Sequence, residues 1–127
     1  MNAEEQLREV LTKLLERSRK NEVNWLSGRD PEYFVKFPDN SRIVLIYASP
    51  ESAPDWVAAS LVVNGVEVAN LFAEDGDDAK KETFTLMRQL WQDAHRSVTG
   101  WDTAINQIKS SVESDPRVGI APHKVSG

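Results

Sequence analysis

The hydrophobic pattern is cleanest over residues 83–98, TFTLMRQLWQDAHRSV, where Phe84, Met87, Leu90, Trp91, Ala94 and Val98 recur at three- and four-residue spacing. That spacing puts them on one stripe of a helix. Burying the four largest contributes on the order of 10 kcal/mol gross, at roughly 1.5–3 kcal/mol each before the opposing conformational entropy. The pattern predicts a helix that closes the core. A second helical pattern covers residues 3–20, with Ala3, Leu7, Val10, Leu11, Leu14 and Leu15 on one face. Its other face carries Glu4–Arg8, Glu9–Lys13 and Glu16–Lys20 in the favourable acid-first order. Trp25 and Leu26 follow, and Gly28 and Pro31 then interrupt the chain.

From residue 32 to 73 the pattern changes to strands. Tyr33–Phe37 and Arg42–Ala48 flank a short hairpin loop, Pro38-Asp39-Asn40-Ser41. Asn64-Gly65 is the strongest turn signal, because both residues accept the positive φ of a two-residue type I′ turn. Pairing outward from that turn sets Val63 against Val66, Leu61 against Val68, Ala59 against Asn70 and Val57 against Phe72 on one face. Trp56, Ala58, Ser60 and Val62 then share the other face with Glu67, Ala69, Leu71 and Ala73. Neither face is strongly polar, so either helices cover both or one face meets another subunit. Ser49–Asp55, holding Pro50 and Pro54, reads as a mobile connecting loop. Gly100 ends the organising helix, with Trp101 folding back as a hydrophobic cap and Asp102 capping a short helix through Ala104, Ile105, Ile108 and Val112.

These elements predict one α+β domain over residues 1–114: a four-stranded antiparallel meander flanked by an N-terminal helix and a C-terminal helix pair. Residues 115–127 read as a flexible tail. At 127 residues the chain has enough material to bury a core without metal or disulfide staples. The formal charge of −5 speaks against a general nucleic-acid binder. Its acidity is concentrated: residues 31–78 hold nine acidic and two basic side chains. With no cysteine there is no thiolate nucleophile and no cysteine-ligated metal. Lacking an apolar leader or a run of membrane-spanning length, the chain is expected to be cytoplasmic, with no membrane partner and no cofactor.

Candidate chemistry falls in three places. Glu74, Asp75, Asp77 and Asp78 surround Gly76 just before the organising helix, but without EF-hand spacing. Carboxylates there favour the helix N-terminus and offer an acidic surface to a basic partner. Arg88, Gln92, His95 and Thr99 form a polar ridge beside the apolar stripe. That ridge can grip an anion or place a general base, or can simply edge the core with hydrogen bonds. Of the four tryptophans, Trp25, Trp56, Trp91 and Trp101, Trp56 is the binding candidate, because it opens a strand after a loop. The basic residues Lys13, Arg17, Arg19 and Lys20 suit a helix C-terminus without any phosphate.

The run LWQDAHRSVTGWDTAINQIKSSV from Leu90 to Val112, set after a strand, Asn-Gly and a strand, resembles small uncharacterised bacterial or phage proteins of an α-β4-α type. Trp91 and Ala94–Arg96 carry the likeness, which implies an α-β-β-β-β-α-α order and transfers no catalytic residue. The expected function is a non-enzymatic protein–protein interaction module, of adaptor, immunity or chaperone-like kind, acting through an acidic sheet and loop surface. A homodimer through a sheet face is also expected. The alternative is a small-molecule or anion-binding domain built on Arg88, Gln92 and His95.

Overall fold

The computed structural model describes residues 2–120, and of Trp101 and Asp102 the backbone alone. The expected cap contacts of those two side chains and the tail beyond residue 120 lie outside the described residues. Helix α1 spans Ala3–Arg19, and Asn2 caps it by accepting from the Glu5 amide at 2.8 Å. Five strands follow: β1 (Leu26–Ser27), β2 (Glu32–Phe37), β3 (Ser41–Ala48), β4 (Trp56–Val63) and β5 (Val66–Glu74). Helices α2 (Lys81–Thr99) and α3 (Trp101–Ser114) close the chain. The fold is α+β, with one antiparallel sheet in the order β1-β2-β3-β4-β5.

The sheet has five strands where the pattern predicts four. The extra strand is two residues long, Leu26 against Phe34 and Ser27 against Tyr33, too short to show a period of two. Helix α3 is a full 14 residues, and it meets α2 through Gly100, whose φ of 68° ends one helix and starts the next. Ile105 is half-buried, whereas Ala104, Ile108 and Val112 remain exposed. Val98, placed in the apolar stripe by its spacing, is exposed as well.

Helices α1 and α2 pack on each other and on the same face of the sheet. Their Leu7, Leu11, Leu15, Phe84, Met87, Leu90 and Ala94 meet Tyr33, Val35, Ile43, Leu45, Val57, Ala59, Leu71 and Ala73 in one core. Ser18 ties the layers at the rim: it is buried, donates to the Asp93 carboxylate of α2, and accepts from Trp25 Nε1 at 2.8 Å.

Strand β5 departs from the regular ladder that the pattern predicts. The turn is as expected, with φ of 53° at Asn64 and 80° at Gly65, and Val63 pairs with Val66 and Val62 with Glu67. A bulge then intervenes: Leu61 pairs with Ala69, leaving Val68 without a partner. Every later pair shifts by one residue, so Ala59 faces Leu71 and Val57 faces Ala73. A one-residue slip moves each side chain to the opposite face. Leu71 and Ala73 therefore enter the core, while Asn70 and Phe72 turn away from it. The regular ladder would have buried Asn70 and exposed Leu71, which is the physical reason the bulge prevails.

Candidate functional site

The register lays out the face that α1 and α2 leave uncovered. In the row nearest the hairpin tips stand Lys36, Arg42, Val62 and Glu67. The next row holds Leu26, Phe34, Val44, Ser60 and Asn70. Glu32, Ile46, Ala58 and Phe72 follow, and the last row is Ala48, Trp56 and Glu74. Apolar side chains run diagonally through the middle, and charges occupy the corners. Among the described residues no helix lies over this face, yet Leu26 and Phe72 stay 41% and 42% exposed. Between those two edge-strand residues Phe34 and Ile46 are half-buried and Val44 is buried, and apolar side chains exposed among charges suit an interaction site.

Two charged groups on this face are held in place by neighbours. Glu67 accepts from Ser60 Oγ at 2.6 Å and from Asn70 Nδ2 at 3.2 Å, and these bonds hold its carboxyl below the ordinary glutamate range. Arg42 rests its guanidinium over the Phe34 ring, 5.7 Å from the centroid. Beside it the hairpin tips enclose a recess of about 420 Å³ lined by Lys36, Arg42, Val62 and Asn64.

Trp56 lies on this face, half-buried, with its ring 5.6 Å from that of Phe72. Glu74 pairs with it as the last residue of β5. Asp75, Asp77 and Asp78 are exposed just beyond, and Asp77 caps the short 3-10 turn Asp78–Lys80 by accepting from the Ala79 amide at 3.1 Å. The acidic loop thus abuts the aromatic end of the open face. Trp25 is buried in the core, so it and Trp56 do not share a stacking surface.

Arg88 and His95 go elsewhere, to a cluster on the covered side around Trp91. The His95 ring stacks on Trp91 at 5.2 Å, and its Nδ1 is 2.5 Å from the Tyr33 hydroxyl. His95 is otherwise exposed. Tyr47 packs 5.2 Å from Trp91 and donates to Asp55 Oδ2 at 2.6 Å, while Ser49 Oγ donates to Asp55 Oδ1 at 2.7 Å. These two donors, helped by the Arg88 charge, hold the Asp55 carboxyl below its ordinary range. The same hydrogen bond, with burial, raises the Tyr47 hydroxyl; burial, with the Asp30 charge, raises Tyr33. Trp91 Nε1 donates to the Pro31 carbonyl at 2.8 Å. Arg88 lies over Phe84 at 5.5 Å with its Nε buried and without a partner. Gln92 is exposed, and Thr99 turns back to the His95 carbonyl at 2.7 Å, so the ridge does not act as one surface.

Chemically, the Trp91 cluster pairs its donors and acceptors with one another, Arg88 Nε excepted, and so seats α2 and pins the Ser49–Asp55 loop. Tyr33, Tyr47 and Asp55 are its unforeseen members, because their partners lie across 62 residues for Tyr33–His95 and on a loop for Asp55. Among the described residues no group of three metal-ligating side chains converges. No helix of the described residues is long and apolar enough to cross a membrane. No family model, no curated protein and no solved structure matches the chain.

Proposed function

We propose that this protein is a cytoplasmic, non-enzymatic protein–protein interaction module, adaptor- or chaperone-like, that works through the open face of its sheet and the acidic loop beside it. The observation that carries this reading is the face no helix covers, where exposed Phe72 and Leu26 and half-buried Phe34 and Ile46 surround the buried Val44 and are framed by charge. An apolar centre with a polar rim is the anatomy of a protein interface. Glu74, Asp75, Asp77 and Asp78 at its aromatic end select a partner with basic residues.

The test is capture of partners from the source cell's lysate at low salt, comparing variants. Phe72→Ser, and neutralisation of the four acidic residues, are expected to reduce a captured partner at least about tenfold, with the acidic contribution fading as salt rises. Arg88→Ala and His95→Gln leave capture unchanged under this reading. The converse result favours a second reading, a small anionic ligand held at Arg88, for which the unpartnered, buried Nε is the one specific observation.

A further inference from the structure

We infer that a second copy of this chain covers the open sheet face, packed sheet on sheet about a two-fold axis parallel to the strands. This deepens the interaction reading and rests on it. Two identical sheets can be laid face to face with strands aligned in two symmetric ways. An axis across the strands sets each strand on its own copy, end over end, and brings Glu67 of one copy over Glu74 of the other. An axis along the strands sets β2 over β5 in the same row. Lys36 then meets Glu67 twice, once on each side of the axis. Charge therefore selects the second arrangement.

Size selects it too. With the axis between β3 and β4, Ile46 stands over Ala58 and Trp56 over Ala48, a large side chain against a small one at these two central crossings, while at the edges Glu32 comes over Phe72 and Phe34 over Asn70. Knobs of this kind need facing hollows to reach interior packing density. Glu67 is already oriented by Ser60 and Asn70, so less side-chain entropy is lost on pairing. Four strands of about eight residues, roughly 4.8 Å apart, present on the order of 500 Å² per copy. The total of about 1,000 Å² reaches the threshold of a specific interface. The acidic loop at 75–78 lies past the strand ends, outside the contact, and stays available to a basic partner.

The experiment is the solution mass of the full chain at about 100 μM and low salt, by sedimentation equilibrium, since association depends on concentration. Twice the chain mass of 14.3 kDa is expected. Lys36→Glu and Glu67→Lys should each weaken the dimer at least about tenfold, and the double variant should restore it, because the exchanged charges again oppose. Thermal melts by circular dichroism confirm that each variant folds. A wild-type monomer, or a dimer indifferent to all three variants, overturns the inference. If the chain is monomeric while Phe72→Ser still abolishes partner capture, only the second-copy assignment falls. Should capture ignore the face altogether, the function reading falls instead.

Discussion

The two faces of the sheet carry nearly the same number of apolar positions but use them differently. On the covered face Ile43, Leu45, Val57, Ala59, Leu71 and Ala73 are all at or below 6% exposure, and at its margin Trp25 Nε1 and the Tyr47 hydroxyl are paired while Arg88 Nε is not. The open face mixes Phe34, Val44, Ile46 and Phe72 with Lys36, Arg42, Glu67 and Glu74, so its apolar area is bounded by charge on both flanks. The covered face is closed by the chain's own helices. The charged margin of the other restricts what can close it, and that restriction is a form of specificity.

Neighbouring residues offer the sharpest way to break this contrast. Leu71→Asp places a charge in the core at a cost of several kcal/mol, enough to abolish the cooperative urea transition. Phe72→Asp, one residue along, should change monomer stability by about 1 kcal/mol or less while abolishing self-association by sedimentation. Equal losses of stability would mean that the faces are not distinct. A smaller effect, about 1–3 kcal/mol in the same urea assay, is expected for Ser18→Ala, which strips a partner from both Trp25 Nε1 and Asp93.

The smallest effects come from pH. Asp55 on the covered side and Glu67 on the open side both have folded-state values below their ordinary ones. Their contribution is complete above the unfolded carboxylate range and is lost as pH falls through the depressed folded values. Urea midpoints should therefore drop below about pH 4, and Asp55→Asn should flatten part of that slope. Tyr33 and Tyr47 have raised values, so their contribution is complete below the unfolded tyrosine range and declines above about pH 10.

Much of this arrangement was legible in the sequence. Phe84, Met87, Leu90 and Ala94 announce α2 by spacing, and all four are buried. Asn64-Gly65 announces the β4–β5 hairpin through backbone conformation alone. The bulge was not legible, because Val66–Ala73 alternates apolar and small residues so weakly that either register looks acceptable until Leu71 must choose a side. β1 escaped notice because two residues have no pattern. At the candidate site, Trp56 and the acidic loop were visible as residue types. The Lys36–Glu67 complementarity was not, since it exists only across three strand pairings.

The bulge at Val68 also sets how β5 tolerates change in length. Upstream of it an odd-numbered residue, Glu67, faces outward; downstream the outward residues are even-numbered, Asn70, Phe72 and Glu74. The strand changes phase at one residue, and Val68 is the extra one, as an inserted letter shifts a reading frame. Excising Val68 would leave Glu67 and Ala69 consecutive on a regular ladder with every downstream side chain still on its present face. Excising Ala69 would seat Val68 in its place with the same result, whereas a cut farther along would turn the residues between the bulge and the cut onto the wrong face. Natural deletions in this strand are therefore expected at its bulge.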